Sequence, residues 1–245
     1  MESQFILIAA AVIPALILMI RIYRRDRVEK EPVSLLLSLV FTGILATFAA
    51  VLLEQVGISL LNRAFGSENL LYQFLLYFIV VAGSEEGAKY ILLKKRTWNH
   101  PAFNCLFDGV VYSTFVALGF ALWENISYVL MYGMQTALLR AVTAIPGHAC
   151  FGVFMGVWYS LAKKAENEGD SAQSSRFRKS SFFVPVLLHG IYDFLATSGY
   201  PLLFVAFILF VIGMFIAALV FIRRASLNDA YITDPASDRE WSDPL

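Results

Sequence analysis

Several ionisable side chains stand inside otherwise apolar stretches of this sequence: Glu85, Glu86 and Lys89, then Glu124, His148, His189 and Asp193. These residue types suit water activation. A carboxylate can take a proton from water, while an imidazole can stabilise an oxyanion or bind a metal. Lys89 is i+4 from Glu85 and i+3 from Glu86, so on a helix it reaches either carboxylate. Adjacent helical residues point about 100° apart, which gives the two glutamates different tasks. One can face a cavity while the other holds Lys89 or a neighbouring helix. His189 and Asp193 are four apart and share a face. Asp193 can fix the imidazole tautomer, or the two can share a metal or substrate.

His148 follows Pro146 and Gly147, which are expected to loosen the middle of its helix and leave backbone groups in need of partners. Gly152 and Gly156 then form a small-residue stripe for close helix packing. Glu124 has Asn125 beside it and lies nearer the outer end than Glu85 and Glu86, so a kink or tilt at Gly119 is expected to bring them together. Glu86, His148 and His189 would satisfy the three protein ligands of a catalytic zinc, which makes zinc a candidate cofactor. The soluble H-E-x-x-H signature is absent. Asp108 reads as a cap or a snorkelling charge at a helix start, and Glu54 as an interfacial residue. Cys105 and Cys150 form no disulfide framework and read as small hydrophobes.

The elements that carry these residues are membrane helices. Of the 245 residues, 58% are hydrophobic and 16% charged, with a mean hydropathy of +0.66. An ionisable group in such a setting is costly and usually faces the bundle interior for function. Runs long enough to span a bilayer lie at 5–22, 33–61, 70–93, 104–131, 137–162, 182–197 and 201–222. Basic residues are rich in 21–32, at 94–96, in 163–179 and at 223–224, and sparse or absent in the intervening loops. The positive-inside rule therefore gives an all-α polytopic bundle of seven helices, N-out and C-in. The first helix is expected to be retained and not cleaved as a signal, because its basic cluster follows the apolar run. Ser198-Gly199-Tyr200-Pro201 predicts a tight hairpin.

Residues 163–181 read as a polar cytoplasmic loop, and 225–245 as an acidic, disordered tail. The membrane domain is then 1–224, with the chemistry in helices between about 70 and 197. The expected partners are the lipid bilayer and a membrane-protein substrate, not nucleic acid. A proton-coupled transporter or channel is the alternative, since Glu/His/Asp chains also build proton relays. A non-enzymatic scaffold with structural ion pairs is a third reading.

In this order, the residues resemble the PrsW family of membrane proteases, which is similar in turn to the CAAX prenyl protease and Abi group. Its E-E-x-x-K motif matches Glu85, Glu86 and Lys89, and its F-x-x-x-E motif matches Phe120 and Glu124. Its later histidine matches His148, and its H-x-x-x-D motif matches His189 and Asp193. Ala144 stands where the wider CAAX group has phenylalanine, and Asp193 where it has asparagine, both pointing to the PrsW branch. The resemblance implies a bacterial plasma-membrane protease, metallo- or glutamate-dependent, that makes the first cut in a single-pass anti-sigma factor during envelope stress.

Overall fold

The computed structural model describes residues 2–65 and 69–232. Among them the chain is helical almost throughout: α1 (Glu2–Arg25), α2 (Val33–Ala64), α3 (Leu70–Phe74), a π-helical stretch (Leu75–Val81), α4 (Ala82–Thr97), α5 (Asp108–Tyr132), α6 (Met134–Val142), α7 (Ala144–Asn167), α8 (Ser171–Thr197) and α9 (Pro201–Leu227). Six helical segments are long and apolar enough to cross a membrane, α6 and α7 counting as one of them. The seventh crossing is the continuous 70–97 segment, whose hydropathy is lowered by Glu85, Glu86, Lys89 and the basic Lys94-Lys95-Arg96 end. Outward-facing Leu37, Leu202 and Leu219 are largely exposed, as expected where the surrounding medium is lipid.

Local chemistry sets the boundaries. Asn69 caps α3 by accepting from the N–H groups of Leu71 and Tyr72, and Asp170 caps α8 through Gln173. Gly199 has φ +69°, and Pro201 opens α9, which makes the expected hairpin. The loop expected at 163–181 is instead two helix ends: α7 runs to Asn167, α8 begins at Ser171, and only a short turn separates them. Polar residues there extend the helices beyond the apolar layer because caps, not hydropathy, decide where a helix stops.

The fifth span also differs from its expected form. It is broken at Thr143 into α6 and α7, so His148 lies just over one turn inside a helix start. Pro146 falls in the first turn, where its missing N–H costs nothing, and the predicted mid-helix loosening does not arise. Gly119 is no kink either. Helix α5 is unbroken, and a Cβ at Gly119 would stand 2.9 Å from Val40 Cα on α2. That glycine allows close approach of two helices.

Helix α5 is central, packed against α1, α2, α4 and α7. Gly152 and Gly156 bring α7 onto α5 at Thr114 and Val110, as the stripe predicts. The basic-rich ends meet on one side of the bundle. There Asn104 donates to Glu29, Trp98 to Glu166, and Asn167 to the Ile232 carbonyl. The start of the tail expected to be disordered is ordered: 228–232 pairs with 104–106 through Leu106 N–H to Ala230 O and Ile232 N–H to Asn104 O. Residues 233–245 of that expectation lie outside the described residues.

Candidate active site

The site lies where α4, α5, α7 and α8 meet. The π-helical stretch widens the helix just before Glu85 and Glu86, a distortion often found at functional sites. Phe78 from that stretch fills the space that Gly190 leaves open, a Cβ there standing 2.9 Å from Phe78 Cε1. Glycine at 190 thus draws α8 against the π segment, and His189 beside it reaches Glu86.

Lys89 is the hub. Its Nζ lies 2.7 Å from Glu86 Oε1, 3.2 Å from Glu85 Oε2 and 3.3 Å from His148 Nδ1. The ammonium also stands 3.8 Å from the centre of the Phe120 ring, a cation–π contact that gives the first residue of the F-x-x-x-E motif its task. An ammonium has no acceptor, so His148 Nδ1 must present its lone pair to Lys89. The ring proton then sits on Nε2 and donates to Glu124 Oε2 at 2.9 Å. Glu124 therefore fixes the tautomer of His148 across the gap in depth that the sequence left open.

His189 is held between two carboxylates, with Nδ1 2.9 Å from Glu86 Oε1 and Nε2 3.3 Å from Asp193 Oδ2. Phe151 stacks on its ring at 4.7 Å and 18°. The two glutamates divide as their helical directions require. Glu85 lines a cavity of about 370 Å³ together with Glu124, His148, His189 and Asp193. Glu86 is fully buried, ties Lys89 to His189, and keeps its Oε2 without a hydrogen-bond partner. Glu54, expected at the interface, lines the same cavity. Asp108 is fully buried at the start of α5, and its Oδ2 accepts from the N–H groups of Asn104 and Cys105. Those N–H groups precede the helix, so Asp108 ties the 104–105 turn to the start of α5 instead of capping it, and it lies outside the cavity.

Sequence reasoning missed Arg140. Its Nη2 lies 2.9 Å from Glu124 Oε2 as a charge contact, its Nε donates to Asn125 Oδ1 at 3.0 Å, and its guanidinium lies over the Tyr128 ring at 4.2 Å. Asn125 in turn donates to the Ala11 carbonyl of α1. In the sequence Arg140 is a single cation near a predicted helix start. Only its failure to join a basic cluster set it apart.

A metal is a natural question here. Glu85, Glu86 and His148 offer ligand atoms that all lie within 4.8 Å of one another. The donor types suit zinc, and the orphaned Glu86 Oε2 is a spare acceptor. The set differs from Glu86, His148 and His189, because both nitrogens of His189 already face carboxylates. The same three residues are the polar partners of the Lys89 ammonium, so a metal held by them would take the place of that group.

Buried carboxylates, two oriented imidazoles and a cavity inside a membrane bundle are the parts that a membrane-embedded hydrolase site requires. The chain belongs to the family described as PrsW family intramembrane metalloprotease, which matches residues 31–222. It is 35% identical over 198 residues to Protease PrsW of Geobacillus kaustophilus, covering 78% of this chain and 80% of that protein. It is 33% identical to Protease PrsW of Bacillus subtilis, covering 80% and 84%, and 32% identical to that of Clostridioides difficile, covering 82% and 84%. No solved structure matches the chain. The protein is thus a multi-pass plasma-membrane protease acting on a membrane-protein substrate, and the transporter reading falls away.

Proposed function

We propose that this protease cuts a single-pass anti-sigma factor, and that Glu85, Glu86, Glu124, His148, His189 and Asp193 form its catalytic group. The observation that carries this reading is the placement of Glu85 on the cavity wall while Glu86 holds Lys89 and His189 behind it. Glu85 takes a proton from water, whose oxygen attacks the scissile carbonyl. As the oxyanion forms, the Nε2–H groups of His148 and His189 turn to it from Glu124 and Asp193, their resting partners. The C–N bond then breaks, and the proton held by Glu85 passes to the leaving amine. Glu124 keeps His148 in one tautomer, and Asp193 orients His189. The unit carrying this activity is residues 1–224, with the catalytic helices within about 70–197.

A second reading is favoured by the convergence of Glu85, Glu86 and His148. Those residues would hold a zinc ion, which when bound would supply Lewis acidity to the carbonyl and to water. In that case Lys89 withdraws, and Glu124 holds the His148 lone pair toward the ion.

The test is cleavage of a single-pass anti-sigma factor in proteoliposomes by Glu85→Gln, Glu86→Gln, His148→Ala and His189→Ala variants. Each is expected to lose about a hundredfold or more of the rate. Full activity in all four would overturn the assignment. Metal analysis with chelation separates the readings, because activity that survives complete metal removal leaves the glutamate route alone.

A further inference from the structure

A second hollow, distinct from the catalytic cavity, lies on the opposite face of α4. It is a groove of about 700 Å³ walled by Gly83 and Gly87 of α4, Phe182 and Phe183 of α8, and Ala49 and Leu53 of α2. Its basic end carries Lys94, Arg178 and Lys179. None of the proposed catalytic residues lines it. We propose that this groove binds one anionic phospholipid, with the phosphodiester at Lys94, Arg178 and Lys179 and an acyl chain against Gly83, Gly87 and Phe182.

Three observations support that occupant. The first is charge. Lys94 and Lys179 ion-pair with no carboxylate among the described residues, and Arg178 has only Glu166 at 3.5 Å, which Lys163 also approaches at 3.6 Å. Cations in excess of carboxylates at the cytoplasmic edge of a gap between helices attract anionic headgroups. The second is length. Gly83 and Lys94 are eleven positions apart, or about 16 Å along the helix, close to one leaflet of roughly 15 Å. A substrate helix would need a track across both leaflets. It would also tend to bring basic residues to this side, against the groove's own charge.

The third is the use of glycine. Gly43, Gly119, Gly152, Gly156 and Gly190 are each pressed against another helix of the chain. A Cβ at Gly83 or Gly87 would meet nothing closer than 3.6 Å. Glycine within a helix is disfavoured relative to alanine, yet none of the described residues needs these two to be small. A ligand lying along that face does need it.

The test does not depend on the hydrolytic reading. The full chain is purified, and its retention of dioleoyl phosphatidylglycerol against dioleoyl phosphatidylcholine is counted by native mass spectrometry. The wild type is expected to prefer phosphatidylglycerol. Lys94→Gln/Arg178→Gln/Lys179→Gln is expected to lose that preference, by about fivefold for each cation removed. Gly87→Leu fills the acyl slot and is expected to lose it with all three cations in place. Thermal unfolding in neutral lipid checks that each variant is folded, with Gly83→Leu as the replacement if Gly87→Leu is not. Equal retention of both lipids by the wild type would overturn the proposal. So would unchanged preference in the glycine variant, which would put the lipid on a basic surface outside the groove. Capture of a substrate helix in place of lipid by a photo-crosslinker at position 87 would do the same.

Discussion

Lys89 Nζ lies 2.7 Å from Glu86 Oε1, fully buried, at the point where Glu85 and His148 also converge. An ammonium and a metal ion cannot share that place. Lys89→Met keeps the side chain's bulk and removes its charge. If both cations use one position, zinc bound per purified protein rises in the variant relative to the wild type. Two buried carboxylates lose their counter-charge, so thermal stability without metal falls by about 3–5 kcal/mol. Inductively coupled plasma analysis beside a melting curve checks both outcomes. Unchanged zinc content would show that Lys89 and metal do not compete.

On the proposed catalytic reading, Arg140 is a positioning residue that works through Glu124. Its loss frees Glu124 to turn from His148, whose lone pair then loses its fixed direction. Arg140→Met should cut the cleavage rate about 10- to 100-fold, in kcat rather than KM. Arg140→Lys should restore part of it. A change confined to KM would instead make Arg140 a substrate contact.

The joint between α5 and α7 should tolerate no side chain. At Gly156 a Cβ would stand 2.5 Å from Val110 Cα and press on Gly109 and Ser113. Gly156→Val should therefore lower the melting temperature or abolish accumulation, since overpacking of this kind costs about 1–3 kcal/mol or more. Any protein recovered should keep its cleavage rate per folded molecule, because His148 lies two turns away.

A pH effect should arise at the cytoplasmic end. Burial pushes the Glu31 carboxyl up from 4.5 to about 7. The Tyr112 hydroxyl, with one hydrogen, lies 2.6 Å from Glu31 Oε2 and 2.8 Å from Ala102 O. Both contacts are hydrogen bonds only if Glu31 supplies its own proton. The folded chain then binds that proton more tightly than the unfolded chain does between about pH 4.5 and 7. Stability should fall as pH rises through that window, with the full cost standing above it. Burial also raises Asp26, to about 6, which adds to the slope. In melting curves from pH 5 to 8, Glu31→Gln should reduce the slope, and Asp26 and Asp229, whose carboxyl burial also raises, should contribute to what remains. An unchanged slope would place the proton elsewhere.

The membrane class, the number and direction of the crossings, and the catalytic candidates were all legible in the order of residues. Each rests on local physics. Apolar run length matches the bilayer, basic residues stay on one side, and a buried charge is expensive wherever it occurs. Spacing alone also put Lys89 within reach of both glutamates and Asp193 within reach of His189.

The remainder depends on contacts between distant segments. Spacing could not say which glutamate faces the cavity, because that is set by the rotation of α4 against α8 through Phe78 and Gly190. Depth counting along α5 left Glu124 short of the site, because His148, twenty-four residues away, bridges the gap. Gly119 looked like a hinge because a glycine that bends a helix and one that admits a neighbour look alike in one dimension. Isolation from the basic clusters was the one local sign at Arg140, and it named no partner, since those partners lie on another helix. Its role exists only once α6 folds back over α5.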